Sequence, residues 1–257
     1  MLDLELKGRI ALVTGGSEGI GRAIASKLVE EGCRVAICAR RPDVLEQAAA
    51  AMGEGVLAVP ADVTQAPDLE RFFAAAVEEF GGVDILVSNA GRSAANYFED
   101  TTEAMWQEDF DLKFWAAVRL ARLAVPRMKA QGHGAIVHIT HPGGKAPDAH
   151  SVPTSISRAA GIAFTKALSK DMAAHNIRVN TVCLTNIKTA QSARAWKASG
   201  TELTYGEWCA QQSREIPLGR MGEAGEVADL VAFLVSERAS FITGASINID
   251  GGSSAAV

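Results

Sequence analysis

The chain has 257 residues, 48% of them hydrophobic and 21% charged, and carries a formal net charge of −5. At about 150 residues per domain this is one large domain or two small ones, with apolar content enough to exclude a disordered chain and to build a core without staples. The acidic balance argues against a nucleic-acid partner, and no apolar run reaches the roughly 18 residues of a membrane span.

Asp3 and Glu5 stand where a secretory leader would carry basic residues, so a cytoplasmic protein is expected. Cys33, Cys38, Cys183 and Cys209 have the spacing of neither a zinc site nor a C-x-x-C pair. They read as three buried thiols and one in a loop region, kept reduced, and no metal is expected.

Short apolar runs alternate with amphipathic ones. Arg9–Thr14 reads as a strand, followed by glycines and a helix over Gly19–Glu31. A second strand spans Arg34–Ala39, and Pro42 opens a helix to Met52. Gly55–Val59 is a third strand, Pro67–Phe80 a helix, and Val83–Ser88 a fourth strand. A long helix runs over Thr102–Ala130, then a strand over Gly134–Thr140 and a helix over Val152–Ala174. Ile177–Cys183 and Ala245–Ile249 are the sixth and seventh strands. Continuous apolar strands alternating with helices imply a parallel sheet covered on both faces, a doubly wound α/β fold. With no linker-like stretch, residues 1–257 read as one domain. Residues 190–216 depart from the rhythm and hold Trp196, Tyr205 and Trp208. They read as a helical excursion, either plain surface structure or a lid over a ligand, its aromatics touching substrate or packing the lid itself.

Gly15, Ser17, Gly19, Ile20 and Gly21 fall at the first strand-to-helix junction. There glycines let the backbone approach a pyrophosphate, and the helix N-terminus offers it free N–H groups. This T-G-x-x-x-G-I-G string, Asp62-Val63 after the third strand, Asn89-Ala90-Gly91 after the fourth and Val179-Asn180-Thr181-Val182 in the sixth together resemble the short-chain dehydrogenase/reductase family. Pro217-Leu218-Gly219-Arg220, Thr243-Gly244 and Asp250-Gly251-Gly252 extend the resemblance towards the end of the chain. It implies a seven-stranded sheet of order 3-2-1-4-5-6-7, a nicotinamide dinucleotide in the crevice, and a homo-oligomer, a tetramer or dimer. By the same resemblance Asp62 and Val63 meet adenine, Asn89, Ala90 and Gly91 line the ribose, and Ile187 and Thr189 reach the nicotinamide end. Leu184-Thr185 replace the Pro-Gly that usually precedes them.

At the end of the second strand Ala39 replaces the acid that would bind a ribose 2′-hydroxyl, and Arg40-Arg41 follow. Guanidinium groups pair with phosphate through two donors, so NADP is favoured over NAD, with Arg40 responsible and Glu18 opposing it.

The family's four reaction-centre positions are all changed. By their flanks, Thr154 stands at the tyrosine place, Arg158 at the lysine place, His141 at the serine place and Lys113 at the asparagine place. Thr154 is far too weak an acid to replace a phenol, and Arg158 does not release its proton. His141 is then the expected proton donor, acting from its protonated form, with Lys113 or water as the alternative and His150 as a second candidate. Lys113 and Arg158, if near, would depress His141, and Thr154→Ala is expected to matter little. Three functions fit: an NADP-dependent oxidoreductase acting on a small carbonyl or alcohol through a rewired site; an NADP-binding protein doing lyase, isomerase or cyclase chemistry or sensing the cofactor; and a silent subunit of an oligomer.

Overall fold

In the computed structural model, which describes residues 3–256, the apolar runs become the strands of one parallel sheet. Met1, Leu2 and Val257, the ends of the expected domain, lie outside the described residues. The sheet strands are β1 (Ile10–Thr14), β2 (Arg34–Ala39), β3 (Val56–Pro60), β4 (Ile85–Ser88), β5 (Gly134–Thr140), β6 (Ile177–Leu184) and, after a short pair β7 (Ile187–Lys188) and β8 (Gly222–Glu223), β9 (Ser246–Ile249). Their order is β3-β2-β1-β4-β5-β6-β9, the expected one, with every neighbouring pair parallel.

Alternate residues serve opposite cores, as strand geometry requires. Ala11 and Val13 pack on one face with α1 (Gly19–Glu30) and α2 (Pro42–Met52). Ile10 and Leu12 pack on the other with α3 (Ala66–Phe80) and the long helical stretch after β4. That stretch is not the single α-helix the periodicity implies. It is α4 (Glu103–Phe110), a π-helical turn over Asp111–Trp115, and α5 (Ala116–Gln131), with the Ala116 N–H bonded to the Asp111 carbonyl five residues back. A π turn widens the helix at one level, and such turns are frequent at functional sites. Here it carries Lys113. The helix α6 (Thr154–Met172) lies alongside.

Two further differences matter. The excursion over 190–216 forms α7 (Ala190–Ala198) and α8 (Tyr205–Gln212), clasped at its base by the β7–β8 pair. A helix unread in the sequence, α9 (Ala224–Val235), packs against α1. Val227, Ala228, Val231, Ala232, Leu234 and Val235 are all buried. With apolar groups so widely spread around it, no single stripe marks it as amphipathic. All four cysteines are free and buried, Cys209 within α8 rather than in a loop. No helix among the described residues is long and apolar enough to cross a membrane.

Candidate active site

A cavity of about 650 Å³ opens at the C-terminal ends of β1, β4, β5 and β6, where the sheet order reverses. At one end the glycine loop is held against the turn after β4. The Thr14 hydroxyl accepts the N–H groups of Asn89 and Ala90 at 2.9 and 3.0 Å, and the Asn89 amide donates to the Thr14 carbonyl at 2.8 Å. Two glycines are fixed by this fit. Gly15 has φ +67°, and a Cβ on Gly21 would lie 2.2 Å from the Gly15 carbonyl oxygen. Among the residues expected to hold a cofactor, Gly15, Gly19, Ile20, Gly21, Asn89, Ala90, Gly91, Arg158, Ile187 and Thr189 all line this cavity. Thr189 caps α7 and lies beside Gly19, so the excursion starts on the glycine loop.

Ser17, Arg40, Arg41, Asp62 and Val63 lie outside the lining, at or just beyond the ends of β1, β2 and β3. Glu18 is ion-paired with Arg41, so the acid expected to oppose a phosphate is already neutralised. Arg40 is exposed and forms no side-chain hydrogen bond or ion pair among the described residues.

At the other end Lys113, His141, Thr154 and Arg158 line the same wall. The Lys113 ammonium donates to the Thr154 hydroxyl at 2.6 Å and is ion-paired with Asp109. Asp109 lies one turn earlier, on α4, with its side chain almost wholly enclosed. Ser157 donates to the other Asp109 oxygen at 2.5 Å, and the Ala94 N–H donates to Thr154 at 2.8 Å. Sequence reading missed Asp109 and Ser157. Their only signals are spacing, four residues before Lys113 and three after Thr154.

Electrostatics separates the two candidate proton donors. His141 Nδ1 accepts the Gly143 N–H at 2.9 Å, which leaves the ring proton on Nε2. Burial, then the nearby Arg158 charge, lowers its pKa to about 4, with Lys113 adding to the effect. The mutual influence expected of these groups is present, but its size removes His141 as a protonated donor at neutral pH. Neutral His141 instead presents an Nε2–H donor. Burial, then Arg158, lowers Lys113 to about 8, with Asp109 holding it up. Arg158 is depressed, chiefly by burial, and its Nε is enclosed with no hydrogen-bond partner.

His150 also lines the cavity, its ring 3.9 Å from that of Tyr97. His138, inside β5, is only half satisfied. Nδ1 meets the Thr165 hydroxyl at 2.7 Å, while Nε2 is buried without a partner. Of the excursion's aromatics only Trp208 reaches the cavity. Trp196 donates its indole N–H to the Leu203 carbonyl at 2.8 Å and packs on Tyr205, so these two fold the excursion on itself. Among the described residues no cluster of metal-ligating side chains occurs.

A family model described as enoyl-(acyl carrier protein) reductase matches residues 15–254. The human dehydrogenase/reductase SDR family member 4 is 35% identical over 254 residues, covering 96% of this chain and 88% of that one. The L-sorbose reductase of Gluconobacter frateurii, solved with NADPH and L-sorbose, superposes with a TM-score of 0.95 at 32% identity over the full length of both chains. A short-chain oxidoreductase of Pseudomonas aeruginosa PAO1, described as containing an atypical catalytic center, superposes with a TM-score of 0.92 at 33% identity, covering 98% and 99% of the two chains. Its NADPH-bound form gives 0.90 at 32% identity, covering 97% and 98%.

Proposed function

The chain belongs to the short-chain dehydrogenase/reductase family, and from that premise we propose that it is an NADP(H)-dependent oxidoreductase interconverting a small carbonyl compound and its alcohol through a rewired proton donor. The observation that carries this reading is the buried Lys113 ammonium hydrogen-bonded at 2.6 Å to the hydroxyl at the family's tyrosine place, where burial pulls its pKa down to about 8.

The residues present fit the cofactor. Gly21 lets α1 close directly on the Gly15 carbonyl and the Asn89 amide, which holds the loop backbone at the cavity edge, and the buried, unpartnered Nε of Arg158 points to a missing acceptor in the cavity. The glycine loop would hold the pyrophosphate, Arg40 the 2′-phosphate, Asp62 and Val63 the adenine, Asn89 to Gly91 the adenosine ribose, Arg158 the nicotinamide ribose, and Ile187 and Thr189 the carboxamide end. NADPH supplies hydride when bound.

The chain's own work is on the oxygen. His141 donates Nε2–H to it, the part the family gives to serine, and Lys113 supplies the proton. The α7–α8 excursion closes over the substrate as a lid, with Trp208 and Arg194 facing inwards. Gradual decay of an enzyme would leave neither a clamped glycine loop nor a proton-bearing group at its reaction centre, which weighs against a silent subunit.

Calorimetric titration with NADPH, followed by NADPH oxidation with L-sorbose and a β-ketoacyl thioester as probe ketones, tests this. Tight binding with turnover is expected. Binding with no oxidation by any ketone would favour non-redox chemistry, and no binding would remove the reading.

A further inference from the structure

The cluster around Lys113 contains more than a proton donor. Asp109 is 3% exposed and its carboxylate has only side-chain partners: Lys113, Ser157 at 2.5 Å and Thr154 at 3.5 Å. A buried carboxylate facing a buried ammonium is costly to assemble and adds little to stability, so its presence points to a task. Thr154 sets what that task can be. A hydroxyl has two lone pairs and one proton. Both lone pairs are filled, by the Ala94 N–H at 2.8 Å and by Lys113 at 2.6 Å. The proton is left over. Its one protein acceptor is Asp109 at the long distance of 3.5 Å, and Thr154 lines the cavity, where a substrate oxygen would offer a shorter bond.

We propose that Asp109 is a positioning residue that holds Lys113 against Thr154, so that a proton passes from Lys113 through the Thr154 hydroxyl to the substrate oxygen. The inference rests on the carbonyl-reductase reading above. Addition of hydride to a carbonyl carbon leaves an electron pair on oxygen. That pair takes the hydroxyl proton of Thr154 as its O–H bond breaks. Thr154 Oγ takes a proton from Lys113 Nζ, whose bonding pair stays on nitrogen as a neutral amine. Threonine's weak acidity excludes it as the source of the proton but not as the bridge, which reverses the expectation that its hydroxyl is dispensable. Ser157 fixes the Asp109 carboxylate from α6, so the relay spans α4, the π turn and α6.

The charges facing Lys113 are Asp109 on α4, Arg158 on α6 and Arg92 in the segment after β4, with neutral His141 after β5. Arg92 is itself paired with Glu108. Asp109 is thus the one acid holding Lys113 up against two cations. The direct experiment is a nuclear magnetic resonance titration of Lys113 in isotopically labelled whole protein, wild type against Asp109→Asn, with and without NADPH. Asp109→Asn should lower the Lys113 titration by about one unit or more, and the alkaline limb of the rate profile should move with it. An unmoved titration in a folded Asp109→Asn overturns the proposal.

Thr154 supplies a second arm that holds if Asp109→Asn fails to fold. Thr154→Val should cut kcat by about 10²-fold with NADPH affinity unchanged, and Thr154→Ser should recover most of that loss. Wild-type kcat in Thr154→Val overturns the relay. Absence of any NADPH-linked turnover in the wild type would instead overturn the reductase reading, leaving the titration to decide Asp109.

Discussion

The flanks Ser155, Ser157 and Ala159 set the register in which Thr154 and Arg158 are read, and the structure brings both to one cavity with Lys113 and His141. Their roles were not legible in the sequence, because titration depends on enclosure and on neighbours far apart in sequence. Burial and Arg158 together lower both His141, to about 4, and Lys113, to about 8, and it is on this that the proposed roles rest. Two predictions belong at this scale. Among the described residues Arg40 has no counter-charge while Arg41 is paired with Glu18, so Arg40→Asp should lower NADPH affinity about tenfold or more and raise the preference for NADH, read by fluorescence titration. Lys113→Met should destabilise the protein by about 3 kcal/mol, since it strands the Asp109 carboxylate in an enclosed site, whereas the double variant Asp109→Leu, Lys113→Met should recover most of that in urea unfolding. Equal stability of the two variants would mean that the pair is better solvated than its burial implies.

At the scale of elements, the sheet was readable because β1, β2 and β4 are short, almost wholly apolar runs bounded by turn residues, and the later strands, though they carry polar residues, keep the same rhythm. The π turn was not, since its five residues Asp111–Trp115 keep a helical composition and only the hydrogen-bond pattern departs. Nor was α9, where Leu230 and Phe233 extend the apolar residues beyond the buried face and blur the stripe that marks a surface helix. The glycine loop depends on fit. Gly21 lies inside α1 with ordinary helical backbone, and alanine there would normally favour the helix. Its methyl would instead meet the Gly15 carbonyl at 2.2 Å and the Asn89 amide at 2.4 Å. Gly21→Ala should therefore lower the melting temperature and abolish NADPH binding in calorimetry. An unchanged binding constant would show that the loop and the turn after β4 can separate at little cost.

The whole molecule leaves large apolar side chains in water. Trp115 is 42% exposed, Phe98 73% and Phe241 fully exposed. They sit on the π turn, before α4 and before β9. Association with further copies would bury such groups, and the proposed homo-oligomer predicts dimers or tetramers in sedimentation at micromolar concentration, against a monomer if these groups stay solvated. The charge balance of the cavity belongs to the same scale, because Lys113 reports on groups from several elements at once. Its titration also governs the pH dependence expected of NADPH-linked ketone reduction. Lys113 must be protonated to give up a proton, so kcat should be flat through neutrality, where His141 stays neutral, and fall as pH rises through about 8. The reverse oxidation should rise through the same value, and both limbs should vanish in Lys113→Met. A reduction rate that falls instead through pH 6 to 7, or an alkaline limb that survives in Lys113→Met, would contradict the account.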